Sequence, residues 1–310
     1  MSLCLITGGA GNIAVQLLPW LSKAGHEVVL WDVVSKPAAV QDKQVRFIQG
    51  DLTDPDHVQS VMADIQPDVL LHFATLLSGD SETNRTQAWR VNVDSSFALF
   101  EQCIRFHTEK YLFLSSLASY GAPLPNPVPE DFPQWPVGLY GTTKAIVERL
   151  GHYYHARHGM DFRALRLPIV VSAQAPSGAA SAYASRAYIE AVENGAFTYR
   201  VRPAARPVII YIEDVLQAIV NLLDAPAQQL SRRVYNVQAL SPTAEEMAQA
   251  IQDRCPAVEL TFDPEPTVAA LIDSWPQEFV DDSAHQDWGW QPAYDLDSMS
   301  DHFLTQLKRQ

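Results

Sequence analysis

A chain of 310 residues is long enough for one large α/β domain, or for one domain carrying a smaller lobe. With 47% hydrophobic and 19% charged residues it is not a disordered chain, and a formal net charge of −14 excludes nucleic acid and anionic membrane as partners, because both repel an acidic surface. The three cysteines, Cys4, Cys103 and Cys255, have neither disulfide nor metal-ligand spacing, so a reducing, cytoplasmic compartment and no metal site are expected.

The chain enters an apolar run within three residues of its start, so no signal peptide is expected, and the apolar stretches are too short or too often interrupted by charge for a bilayer-spanning helix to be expected. Residues 2–7 read as a first strand and 13–24 as a helix closed by Gly25. Strands are expected at 27–32, 44–48 and 69–73, with a helix at 54–65 whose aspartate-rich start suits a helix N-terminus. A long helix at 85–106, a strand at 111–115 and a helix at 140–157 follow. This alternation predicts right-handed βαβ units and an α/β fold, a Rossmann-type doubly wound parallel sheet, over about residues 1–165.

Beyond that point the pattern loosens. Residues 163–171 read as a strand, 173–184 as a small-residue loop, 203–207 as a break and 258–266 as a short strand and turn. Helices are expected at 243–254, 267–272 and 296–307. Residues 166–310 are therefore read mainly as a small C-terminal substrate lobe, with some segments returning to the core.

The strongest local signal is the turn Thr7-Gly8-Gly9-Ala10-Gly11-Asn12-Ile13-Ala14 between the first strand and the first helix. Gly8 suits the tight turn, Gly11 lets backbone approach a pyrophosphate, and the amides that open the helix at Asn12 and Ile13 meet its charge. Asp32 closes the second strand 24 residues after Gly8, where a carboxylate accepts hydrogen bonds from ribose hydroxyls. It would repel a 2′-phosphate, and no cation follows until Lys36, so NAD is expected rather than NADP.

Tyr140 and Lys144 stand four residues apart at the start of a helix, on one face. Oxidising an alcohol requires a base, and a neighbouring ammonium favours the phenolate of a tyrosine. Ser116 lies at the end of the fifth strand, 24 residues before Tyr140, where open parallel sheets carry their ligands. Its hydroxyl is expected to orient the substrate.

Together with GDLTD at 50–54, HFAT at 72–75, SSLASYG at 115–121 and YGTTK at 140–144, these residues resemble the extended short-chain dehydrogenase/reductase family, which includes sugar-nucleotide epimerases and dehydratases. The resemblance covers essentially the whole chain. It implies that Tyr140 is the acid/base, that Lys144 also binds the nicotinamide ribose, that Asp51 and Leu52 lie at the adenine edge, and that Ala74, Pro168 and Ile169 line the cofactor. It also implies a homodimer formed through the helices at 85–106 and 140–157.

Within the family the stretches at 76–92, 140–154, 205–216 and 273–299 are most similar to the short-chain L-threonine 3-dehydrogenase branch. The resemblance assigns Ser78 and Trp275 to the substrate, while Trp288 and Trp290 read as core. In that branch a Gly-Gly-Gly-Thr-Thr-Asp-Tyr type loop holds the substrate ammonium. Here the loop is Ser177-Gly178-Ala179-Ala180-Ser181-Ala182-Tyr183, with Ala182 at the carboxylate position. Ser181 can still bind a carboxylate or a hydroxyl. The expected activity is NAD-dependent oxidation of the secondary hydroxyl of a small polar substrate: L-threonine, a related β-hydroxy acid or a short sugar acid. A sugar-nucleotide epimerase or dehydratase retaining its NAD, with Arg202 and Arg206 as cations for a diphosphate, is the alternative. A non-catalytic NAD sensor is a third reading, against which the intact Ser–Tyr–Lys set argues.

Overall fold

The computed structural model describes residues 1–40, 45–121, 123–175 and 180–309. The first half alternates as its sequence implies: β1 (Leu3–Thr7), α1 (Asn12–Lys23), β2 (Glu27–Asp32), β3 (Arg46–Gln49), α2 (Pro55–Ile65) and β4 (Val69–His72). The predicted third strand began at Gln44, which lies outside the described residues. After β4 come a short helix α3 (Ser78–Thr83), α4 (Arg85–Trp89), α5 (Ser95–Arg105), β5 (Lys110–Ser116), α6 (Leu139–His158) and β6 (Asp161–Leu167).

The expected single helix over 85–106 is interrupted. Residues 90–94 form a π-helical turn between α4 and α5, a local widening that recurs at functional sites. The expected strand over 163–171 is also two strands in two sheets. Pro168, which has no amide to donate to a ladder, separates β6 from β7 (Ile169–Val171).

Further along stand α7 (Tyr183–Glu193), β8 (Ala196–Tyr199), β9 (Ile209–Tyr211), α8 (Ile212–Asp224) and β10 (Val234–Asn236). They are followed by α9 (Ala244–Arg254), β11 (Glu259–Phe262), α10 (Pro266–Asp273), α11 (Asp282–Trp288) and α12 (Leu296–Leu307). The chain divides into two compact units. The first comprises Met1–Gly121, Gln134–Arg166 and Leu216–Tyr235; the second comprises Ala122–Pro133, Leu167–Val215 and Asn236–Gln310.

The large sheet runs β10-β6-β5-β4-β1-β2-β3, and the pairings from β3 through β5 are parallel. Strand order reverses between β1 and β4, and in open α/β sheets the crevice at the carboxyl ends of such a pair takes the ligand. Alternate residues of the strands face one way: Leu5, Val29, Trp31, Leu70, Tyr111 and Phe113 pack with Val58 and Met62 of α2, Leu99 and Phe100 of α5 and Val147 of α6. The Phe100 ring stacks between Tyr111 at 4.2 Å and Tyr154 at 4.7 Å, clamping α5 and α6 to β5.

In the second unit β7 pairs with β9 and β11 with β8, both in parallel. Trp288 and Trp290 are buried 5.8 Å apart, and the Trp290 indole donates to Asp281. Both are core residues, as their sequence context implies. Among the described residues no helix is long and apolar enough to cross a membrane.

Candidate active site

Gly8 follows β1 with φ +67°, and a Cβ there would lie 2.7 Å from the Ala74 amide nitrogen. A side chain is excluded on both counts, so the turn after β1 lies directly against the segment after β4. Gly11 caps α1 with no side chain to satisfy the amides that open the helix. Such amides favour an anion. The Asn12 carboxamide oxygen accepts from Gln16 within the helix, and Ile13 is half-buried beside it.

Asp32, at the end of β2, accepts from the Ala10 amide at 2.9 Å and from the Val34 amide at 3.2 Å. One carboxylate therefore braces the glycine turn. Leu52, after β3, is buried, and the Asp51 carboxylate accepts from the Thr53 amide at 2.8 Å. The cradle that a Cβ would fill at Gly8, the uncapped start of α1 and the Asp32 carboxylate together fit a dinucleotide.

Lateral to this cradle, the end of β5 is tied to α6. The Leu114 carbonyl accepts from Lys144 Nζ at 2.8 Å and the Ser115 hydroxyl donates to Glu148 at 2.5 Å, while the Ser116 hydroxyl, which accepts from the Ala118 amide at 3.1 Å, stands next to the phenol of Tyr140 and favours its ionised form. This close approach requires Gly141. A Cβ on it would meet the Ala118 carbonyl oxygen at 2.1 Å.

Lys144 is buried, with its ammonium 4.6 Å from the Phe113 ring centre and 5.4 Å from that of Tyr140. Burial lowers the ammonium to about 7, partly opposed by the negative charge of Glu148. Tyr140 moves the other way. Burial raises its phenol to about 12, and the hydrogen bond from Ser116 opposes the rise. In this arrangement burial outweighs the lowering expected from a neighbouring cation.

Two buried residues of this site lie within the stretches 76–92 and 140–154 but were given no role from the sequence. Asn92, in the π-helical turn, accepts from the Leu76 amide at 2.8 Å and donates to the Thr143 hydroxyl at 3.1 Å, joining the segment after β4 to α6. Glu148 accepts from Ser115, Gln134 and Arg166. It stands one turn after Lys144, where a sequence reader expects an exposed helical glutamate.

Ser78 opens α3 and is exposed, and Glu82 of the same helix accepts from the Leu139 amide at the start of α6. The remaining predicted residues belong to the second unit. Pro168 and Ile169 stand at the start of β7, with the Ile169 amide donating to the Val208 carbonyl. Ser181 and Ala182 are half-buried in a short 3-10 turn before α7, and Trp275 is half-buried just after α10. Ser177, Gly178 and Ala179 of the expected loop lie outside the described residues. Arg202 pairs with Asp273, while Arg206 donates to the Ser241 carbonyl and pairs with Glu246.

Residues 4–237 match the model of the NAD dependent epimerase/dehydratase family. A protein from Bos taurus named L-threonine 3-dehydrogenase, mitochondrial, is 35% identical over 295 residues, covering 94% of this chain and 79% of the bovine one. The solved L-threonine dehydrogenase of Phytophthora infestans superposes with a TM-score of 0.91 at 32% identity over 99% of each chain. That of Clostridium difficile gives 0.93 at 31% identity, over 100% of this chain and 98% of the other. A Gly8–Gly11 turn at the switch point of a Rossmann sheet and a serine, tyrosine and lysine brought together by β5 and α6 agree with these likenesses, and the chain belongs to the NAD-dependent epimerase/dehydratase family as an NAD-dependent oxidoreductase.

Proposed function

We propose that this chain oxidises the secondary hydroxyl of a small β-hydroxy acid, L-threonine or a short sugar acid, to the ketone. The observation that supports the reading is the tie between β5 and α6, in which Lys144 donates to the Leu114 carbonyl at the end of β5 with its ammonium 5.4 Å from the Tyr140 ring centre. Ser116 hydrogen-bonds the reacting hydroxyl and Tyr140 Oη removes its proton. The Lys144 ammonium stabilises the phenolate that makes this removal favourable and holds the nicotinamide ribose. NAD, when bound, supplies a hydride acceptor for the carbinol carbon.

Gly8, Gly11, Asn12 and Ile13 take the pyrophosphate, Asp32 the adenosine ribose, Asp51 and Leu52 the adenine edge, and Ala74 the cofactor through its backbone. Ser78 addresses the substrate carboxylate. Roles for Pro168 and Ile169 at the cofactor, and for Ser181 and Trp275 at the substrate, rest on the resemblance alone.

The likeness to proteins named L-threonine dehydrogenase favours this reading over a sugar-nucleotide epimerase. So does the engagement of Arg202 and Arg206 with carboxylates, since an epimerase needs such cations for a diphosphate. The test is a panel of small hydroxy and amino acids with NAD, monitored by the absorbance of the reduced nicotinamide. Stoichiometric NADH with one of them supports the reading. Interconversion of a sugar nucleotide without net NADH would replace it.

We further infer a homodimer through α4, α5 and α6. Trp89, Phe97 and Tyr153 on these helices are 43%, 50% and 51% exposed. Tyr153 also lines an open cavity of about 840 Å³ together with Trp135, Pro136, Ile146 and Leu150. Apolar surface of this extent favours a second copy, and sedimentation velocity tests it. A reducing, cytoplasmic setting suits Cys4, Cys103 and Cys255, all of which are free thiols.

A further inference from the structure

Lys144 and Glu148 stand one helical turn apart on α6, so both side chains leave the same face. Both are buried, at 3% and 1% exposure. The carboxylate of Glu148 is fully engaged. It accepts from Ser115 at 2.5 Å, from Gln134 at 2.8 Å and from Arg166 Nε and Nη2 at 3.0 and 2.7 Å. Arg166, on β6, also donates to the Tyr120 hydroxyl and lies 4.6 Å from the centre of that ring.

A buried ion pair is a poor device for stability alone. Well-packed apolar side chains of similar volume do as well or better, because two ions must first leave water. The position of this pair supplies a different rationale. The direct partners of the Lys144 ammonium, the Leu114 carbonyl and the rings of Phe113 and Tyr140, carry no full negative charge.

Of the titratable groups that face it, His72 on β4 is held neutral by burial, which lowers it to about 3. Tyr140 is neutral until its phenol ionises. Arg166 is a like charge beyond the carboxylate. Glu148 is the group whose charge opposes the loss of the Lys144 proton. It also grips Ser115, the residue between the one that receives Lys144 and the one that meets Tyr140.

We propose, on the reading that Tyr140 and Lys144 carry the proton chemistry, that Glu148 is a positioning residue of the active site. Its carboxylate, clamped by Arg166, Gln134 and Ser115, keeps the Lys144 ammonium charged and fixes the end of β5 against α6.

The test follows Lys144 directly. The chain has six lysines, and with 13C at Cε each titrates separately by NMR, Lys144 being assigned by its loss in Lys144→Met. In Glu148→Gln the Lys144 midpoint should fall by about one pH unit or more. The basic limb of the kcat/KM profile should move down with it. Glu148→Asp, which retains the charge, should keep the midpoint close to that of the unmodified chain even where the altered reach lowers kcat.

A Glu148→Gln chain whose Lys144 midpoint stays within about 0.3 unit, with activity falling only as far as thermal stability falls, would overturn the proposal and leave Glu148 a structural residue. If the midpoint moves but the kcat/KM profile does not, the electrostatic link stands and the assignment of Lys144 to catalysis fails. Should the unpaired Arg166 prevent Glu148→Gln from folding, the double variant Glu148→Gln/Arg166→Met carries the test. A smaller downward shift is then expected, and no shift refutes the idea.

Discussion

Lys144 Nζ spends its hydrogen bond on the Leu114 carbonyl, at 2.8 Å, while its charge faces the Tyr140 ring from 5.4 Å. On the proposed reading the ammonium acts on the phenol through space rather than by a hydrogen bond, and its placement depends on where β5 ends. Tyr140→Phe should leave NAD affinity nearly unchanged and reduce kcat by two or more decades, roughly what a general base contributes. Lys144→Ala should damage both, since that side chain is given two roles. Retention of more than about a tenth of the activity in Tyr140→Phe would rule out the proton path.

The burial of Lys144 has a consequence for stability as well. Its folded pKa is lowered to about 7 from 10.5, so between these values the unfolded chain binds more protons than the folded one. Stability from this group then rises with pH across that window, and the full penalty of a buried ammonium applies below it. Lys144→Met should accordingly melt a few degrees higher than the unmodified chain near neutral pH, on the order of 1 kcal/mol. That gap should narrow as pH approaches 10. A gap that widens with pH would mean the lysine is not buried in its charged form.

Gly141 offers a test of the tie itself. Replacing it with alanine drives a methyl into the Ala118 carbonyl, 2.1 Å from where the Cβ would stand. The first turn of α6 must then back away from the end of β5. We expect kcat to fall at least tenfold, about 1.4 kcal/mol in the barrier, with NAD affinity less affected because the glycine turn after β1 is untouched. Unchanged kinetics in a folded Gly141→Ala chain would show that the close approach of α6 to the end of β5 is dispensable.

Much of this was legible in the chain because it lies on short, strongly patterned segments. The glycine turn, the strand that ends at Asp32 and the four-residue step from Tyr140 to Lys144 are local features, and each stands on the element it implied. What was not legible is long-range. Glu148 looks like any exposed helical glutamate until β6 delivers Arg166 to it. Asn92 gains its role from a π-helical turn that period-counting cannot see. β8, β9 and β10 gave no clear reading because they are strands of three or four residues whose pairing partners are distant in sequence, whereas the periodic apolar face of α8 was legible and was passed over.

Cofactor choice rests on Asp32. NAD should bind at least tenfold more tightly than NADP, about 1.4 kcal/mol, if, as proposed, the carboxylate meets the ribose hydroxyls, since Val33 and Val34 bring no cation. Its second task, the hydrogen bond from the Ala10 amide, changes what mutation does. Asp32→Ala should not simply convert the chain to NADP. It should weaken NAD while loosening the glycine turn, so both affinities stay poor by calorimetry. Equal affinities in the unmodified chain would remove Asp32 from the site.

Substrate charge is the most discriminating test, because it addresses the one place where this chain departs from the threonine-dehydrogenase pattern. Ala182 stands directly before α7, in a short 3-10 turn, where that pattern has a carboxylate. A substrate ammonium brought into a partly dry site without a counter-charge is costly. On the proposed reading, hydroxyl groups remain to bind a carboxylate or hydroxyls of a substrate that lacks an amine. A small β-hydroxy acid or short sugar acid should therefore compete with L-threonine and can outperform it. Ala182→Asp should raise kcat/KM for threonine and lower it for the analogue without an amine, each by about tenfold, or about 1.4 kcal/mol. The substitution also places a negative charge at the start of α7, which stabilises a helix by roughly 0.5 kcal/mol. That effect raises the melting temperature whatever the substrate, so it separates from a change in preference. If the unmodified chain oxidises threonine efficiently and Ala182→Asp leaves the ratio of the two substrates unaltered, the ammonium is held by another group and the loop before α7 does not set specificity.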